Sequence, residues 1–202
     1  MEYYISLFIF TFVAGVTPGP NNIMLTTSAL NHGVTKSLPH YFGICIGFPI
    51  MVTVVGFGMG AIFIKYPSTF FFLKICGILY LCFLAWKIAN AGNPQASEAT
   101  KSPFTFVQAA AFQWLNPKAW VIAISALAAF SSQTNFALSV VSVIAMYFLT
   151  GLISMALWLM FGHSLKHFLN TANRVKYFNI SMAIVLVLSI IPISFTSISN
   201  VT

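Results

Sequence analysis

Gly15-Val16-Thr17-Pro18-Gly19-Pro20-Asn21-Asn22 sits inside an apolar run and forbids that run from being one continuous helix. The two prolines remove two amide donors, and each disfavours helical geometry in the residue before it; the glycine between them adds a flexible point. Farther along, Leu115-Asn116-Pro117-Lys118 interrupts a second apolar run in the same way. How these two breaks are read decides the fold.

The surroundings place both breaks in a membrane. The chain has 202 residues, of which 59% are hydrophobic and 5% charged, whereas soluble domains carry about a quarter charged residues. Apolar segments at about 3–28, 40–64, 69–90, 104–129, 137–161 and 178–199 each suffice to cross a hydrocarbon core about 30 Å thick. They are long and continuous, unlike the alternating segments of about ten residues in a membrane β-barrel. The expected fold class is therefore an all-α polytopic membrane protein with six transmembrane helices, the first and fourth interrupted at proline motifs. Pro18 falls roughly 22 Å into the first span and Pro117 roughly 20 Å into the fourth, both well inside the hydrocarbon.

The most polar linker, 93–103, separates residues 1–92 from 104–202, three spans in each half. An odd number of spans inverts the second half relative to the first. Matching breaks in two inverted halves point to a transporter with its site near the midplane. Basic residues set the orientation: Lys36, Lys87, Lys101, Lys166, Arg174 and Lys176 fall on one face, and only Lys65 and Lys74 on the other. The first face, with the 93–103 linker, is expected to be cytoplasmic and both termini periplasmic. The net charge of +7 thus reads as headgroup and topology charge rather than as a nucleic-acid surface. The N-terminus lacks the basic start of a signal peptide and is expected to remain in the mature protein.

Backbone freed inside lipid needs polar partners or a wet cavity. A half-helix restarting at Pro20 aims its first amides and positive dipole end inward, an arrangement suited to a carboxylate. Thr17, Asn21 and Asn22 add polar side chains there, and Asn116 either caps the second restarted half-helix or touches substrate. Lys118 is an intramembrane cation; it is either solvated by carbonyls freed at Pro117 or serves as counter-charge to a substrate. A packing kink accounts for either break alone, but recurrence in the second half favours a substrate site formed by Thr17, Pro18, Gly19, Pro20, Asn21, Asn22, Asn116, Pro117 and Lys118.

Together with Gly77-Ile78-Leu79-Tyr80-Leu81-Cys82-Phe83-Leu84-Ala85-Trp86-Lys87 in the third span, these two motifs resemble the LysE/RhtB family of bacterial amino-acid exporters over essentially the whole chain. The resemblance implies efflux across the inner membrane coupled to proton entry, with neutral substrates of the cysteine/O-acetylserine or homoserine/threonine type. Tyr80, in the third motif, becomes a candidate for lining the pathway. One feature departs from simple coupling: Glu2 and Glu98 are the only acids, and neither lies deep in a span. The titratable candidates are Lys118, His40, His163 and His167, the histidines expected near interfaces.

Other features have plainer readings. His163 and His167 have i, i+4 spacing but no evident third ligand, so neither a metal site nor any cofactor is expected. Leu165 to Lys176 reads as a cytoplasmic interfacial helix. Cys45, Cys76 and Cys82 read as small hydrophobes, and Phe70, Phe71 and Phe72 as interfacial or lipid-facing. Gly43/Gly47 and Gly56/Gly60 are close-approach pairs for another helix, belonging to the same chain or to a second copy in a homo-oligomer. No constellation suggests an enzyme. The alternatives to a carrier are an uncoupled channel or scaffold, or an intramembrane redox carrier, which the absence of a cysteine beside either break disfavours.

Overall fold

The computed structural model describes residues 2–59, 67–90, 102–132, 134–168 and 171–194, and these are helices and the short joints between them. In chain order they are α1 (Glu2–Val16), α2 (Pro20–His32), α3 (Val34–Val54, continued by a π-helical turn Val55–Met59), α4 (Pro67–Ala89), α5 (Phe106–Leu115), α6 (Pro117–Phe130), α7 (Phe136–Phe168) and α8 (Ala172–Ser194). The 93–103 linker lies almost wholly outside the described residues, as do Lys65, Gly60 and the side chains of Lys166 and His167.

Both interruptions are present. α1 and α2 meet at an angle of 55°, with Pro20 as the first residue of α2, where its missing amide costs nothing. The fourth run divides at Asn116, and Pro117 starts α6. α5 begins at a capping box in which the Thr105 hydroxyl accepts from the Gln108 amide and the Gln108 side chain accepts from the Thr105 amide. Among the described residues, Val34–Gly58 and Phe136–Leu165 are each long and apolar enough to cross a membrane, and the bent α1–α2 pair qualifies as a third crossing.

α2 is the central helix. Every residue from Asn22 to Leu30 is buried although the segment is rich in Asn, Thr and Ser, and two of its hydroxyls bond to neighbouring helices. Thr26 donates to the Trp158 carbonyl at 3.2 Å, and Ser28 and Ser37 share a bond of 2.8 Å. α2, α3, α5 and α7 pack around one apolar cluster, α1, α3, α6 and α7 around a second, and α2, α4, α5 and α8 around a third. The outward faces of α1 and α7 carry exposed Ile9, Val13, Phe148, Leu149, Ile153 and Leu157, as lipid contact requires.

The close approaches are internal. A Cβ at Gly43 would stand 2.5 Å from the Phe106 carbonyl oxygen, and one at Gly47 would stand 2.6 Å from the Ala110 Cα. The partner of this glycine pair is therefore α5 of the same chain, while Gly56 fits against Val140 and Leu127. Two expectations need correction. α3 starts at Val34, ahead of the expected span, because Gly33 at φ 82° lets α2 turn directly into it. The Leu165–Lys176 stretch is not an element of its own: α7 runs on through Phe168 and α8 begins at Ala172, so its helical periodicity belongs to two helices.

Candidate functional site

The two breaks meet, and a lysine joins them. In an unbroken helix the carbonyls of Thr17 and Pro18 would receive the amides of Asn21 and Asn22; the break orphans them. Lys118, from the other break, reaches across and donates its Nζ to the Thr17 oxygen at 2.7 Å and the Pro18 oxygen at 3.3 Å. Asn22 supplies the rest, its Nδ2 donating to Gly15 O at 2.8 Å and Thr17 O at 3.3 Å. A cation at the C-terminal end of α1 is also favoured by the helix dipole. The carbonyls that solvate Lys118 are thus those freed at Pro18, not those freed at Pro117.

The second break is closed within its own segment. Asn116 Oδ1 accepts from the Lys118 amide at 3.1 Å, the cap option of the two that the residue type allows. The Trp114 carbonyl, which would otherwise have received that amide, accepts from the Trp120 indole Nε1 at 3.0 Å. α2 has no such cap: Gly19 precedes it and no side chain accepts from its first turn. Gly19 is extended, at φ −173°, so backbone strain does not call for glycine here. Close approach does, because a Cβ at Gly19 would stand 2.8 Å from Lys118 Cδ and 2.9 Å from Nζ.

Asn21 and Gln113 are paired as two amides in both directions: Asn21 Nδ2 donates to Gln113 Oε1 at 2.8 Å, and Gln113 Nε2 donates to Asn21 Oδ1 at 3.2 Å. Gln113 also donates to the Ala109 carbonyl and is fully buried. Sequence reading passed over Gln113, although a glutamine in the apolar run three residues ahead of Asn116 was a usable signal. It also passed over Trp120, which was not distinguishable from ordinary core. Asn21→Leu and Gln113→Leu should each destabilise the protein by about 1–3 kcal/mol through the orphaned partner. The double variant should lose less than the sum by at least about 0.5 kcal/mol. Thermal unfolding in detergent measures this, and strictly additive losses would disprove the pairing.

Beside the breaks lies a partly open cavity lined by residues of both. Pro20, Asn21, Asn22, Asn116 and Lys118 form its polar end. Thr11, Gly15, Tyr147, Thr150 and Ser154 line another wall, and Ile44, Cys45, Phe48 and Met155 give it an apolar side. Thr17, Pro18, Gly19 and Pro117 shape the breaks without lining the cavity; the Thr17 hydroxyl closes α1 by donating to the Val13 carbonyl at 2.6 Å. Tyr80 stands apart from the cavity. Its ring packs against Phe83 and Phe112, and the third motif presents Leu81, Leu84 and Ala85 to a cluster shared with α8.

His40 is buried, 2% exposed, with its ring 5.3 Å from that of Phe104, and neither ring nitrogen has a hydrogen-bond partner. Among the described residues no group of three or more His, Cys, Asp or Glu is placed to hold a metal.

Two interrupted helices whose breaks meet beside a cavity, in a chain with membrane-length apolar helices, define a helical membrane protein of the broken-helix type. Comparison with known sequences gives the particular family: residues 12–191 match the LysE type translocators, and the chain belongs to that family. Relatives include the cysteine/O-acetylserine efflux proteins of Escherichia coli O1:K1 and of Escherichia coli strain K12, each 30% identical over 179 residues, covering 88% of this chain and 90% of theirs. The protein of that name from Shigella flexneri serotype 5b is related to the same degree. No solved structure matches the chain.

Proposed function

We propose that the chain is a secondary exporter that carries small neutral amino acids or their derivatives outward across the bacterial inner membrane by proton-coupled alternating access. The observation that carries this reading is the Lys118 ammonium, held by two main-chain carbonyls of the opposite break beside the uncapped start of α2. A substrate carboxylate entering the cavity would compete with those neutral carbonyls for the cation and would take up the free amides at the start of α2. Exchange of one set of partners for the other gives the two breaks a substrate-dependent contact. Because relatives are cysteine/O-acetylserine efflux proteins, cysteine and O-acetylserine are the first substrates to try.

Six spans in a three-plus-three inverted repeat accord with the helix contacts. Matching first half with second pairs α1 with α5, α2 with α6, α3 with α7 and α4 with α8. Under that match α3·α5 corresponds to α7·α1, α2·α3 to α6·α7 and α4·α6 to α8·α2, while α3·α7 and α4·α8 map onto themselves; all of these contacts are made. The inferred orientation keeps both termini periplasmic and Lys36, Arg174 and Lys176 cytoplasmic. With Glu2 and Glu98 the only acids, coupling falls to Lys118 and to the buried His40 rather than to a carboxylate relay.

Reconstituted protein should show saturable counterflow of labelled cysteine and O-acetylserine, not of lysine, and an imposed proton gradient should accelerate net movement. Flux that rises linearly with concentration and ignores substrate on the far side would make it a pore, and lysine transport without neutral transport would overturn the substrate class.

A further inference from the structure

We propose that the hydroxyl oxygens of Thr11, Tyr147, Thr150 and Ser154 form the subsite for the α-ammonium of the transported amino acid. This rests on the exporter reading above and deepens it by fixing which way round the substrate lies.

A hydroxyl has one proton to donate and two lone pairs to accept with. On this wall the protons are already committed. Thr11 Oγ1 donates to the Leu7 carbonyl at 2.9 Å, Thr150 Oγ1 to Met146 at 2.8 Å and the Tyr147 hydroxyl to Ile122 at 2.9 Å. Ser154 has the Gly151 carbonyl at 3.4 Å. What these three committed oxygens retain is acceptor capacity, and all four are buried residues that line the cavity. Back-bonding of Ser and Thr within helices is ordinary; its consequence here comes from several such oxygens sharing one cavity wall. Tyr147, Thr150 and Ser154 fall on one helical face, at i, i+3 and i+7. Gly151 keeps that face open, since a Cβ there would meet nothing within 4 Å.

The cavity lining therefore combines two chemistries. Lys118 and the first amides of α2 supply donors, and the hydroxyls of the α1–α7 wall supply acceptors. A primary ammonium, with three donors and no acceptor, complements that wall. A zwitterion fits both, with its carboxylate toward Lys118 and its ammonium toward α7. The wall is neutral, because no acid other than Glu2 and Glu98 exists in the chain. It offers dipoles and not a counter-ion, so a second cation on the substrate would find no partner.

Counterflow of labelled O-acetylserine tests the assignment, with 3-acetoxypropionate, the same molecule without its ammonium, as competitor. Thr150→Val should raise the KM for O-acetylserine about tenfold and leave half-inhibition by 3-acetoxypropionate unchanged. Thr53→Val should leave the KM unchanged, since Thr53 is equally back-bonded, to Pro49, but lies off the cavity. Equal weakening of both ligands, or equal KM in the Thr150 and Thr53 variants, would overturn the subsite; the second comparison decides even if 3-acetoxypropionate proves a poor competitor. Should Thr150→Val fail to fold, Tyr147→Phe removes the same kind of lone pair and carries the same expectation. Absence of any O-acetylserine or cysteine transport by the unmodified protein would instead sink the exporter reading, and the subsite with it.

Discussion

Lys118→Met is expected to abolish substrate-stimulated counterflow while leaving a folded protein. Methionine keeps much of the length and volume of the stem and removes only the cation. A hydrogen bond to a charged group contributes about 1.5–3 kcal/mol, so kcat/KM should fall by about tenfold or more. Folding should survive because Asn22 still bonds Gly15 O and Thr17 O, and only the second bond to Thr17 and the long one to Pro18 are lost. Lys118→Arg should retain part of the activity, since its charge persists but its planar fork must fit against the Gly19 backbone. Gly19→Ala should resemble a mild form of the methionine variant, because its methyl group would occupy the place of the lysine stem. Counterflow measured alongside monodispersity in detergent decides the matter: a folded Lys118→Met protein with unchanged kcat/KM would refute the role given to the ammonium.

The second large effect is on stability. Gly47→Leu should prevent accumulation of folded protein, and Gly47→Ala should lower its unfolding temperature markedly. The added carbon at Gly47 meets the Ala110 Cα at 2.6 Å and Cβ at 2.8 Å. Main chain can give way only by moving α3 off α5, and overpacking of a rigid contact costs about 1–3 kcal/mol even for a methyl group. Displacing α5 also displaces Gln113 and with it the anchor of Asn21, so the damage should reach transport. Gly58→Ala provides the contrast from the same segment of chain, since nothing lies within 4 Å of its added carbon and it should unfold like the parent. Thermal unfolding followed by tryptophan fluorescence separates the two, and similar melting of both alanine variants would show that the α3–α5 approach is not tight.

Sequence by itself determined that this is a helical membrane protein and where its helices break. Composition leaves no soluble alternative, and proline acts locally: Pro20 and Pro117 lack an amide whatever surrounds them, so interruption at those positions follows from the covalent chain. The family motifs followed from the same residues. Local patterning was less sufficient between Leu165 and Lys176, where one helical period is shared by the end of α7 and the start of α8.

Which groups meet across the breaks was decided only by tertiary structure. That Lys118 serves the carbonyls freed at Pro18, that Asn21 pairs with Gln113 and that Gly43 and Gly47 receive α5 are all contacts between residues distant in the chain. Spacing along a sequence specifies which polar groups a break leaves unpaired, but not which distant side chain comes to pair them. That choice is made by the packing of whole helices, which brings the two interrupted segments together.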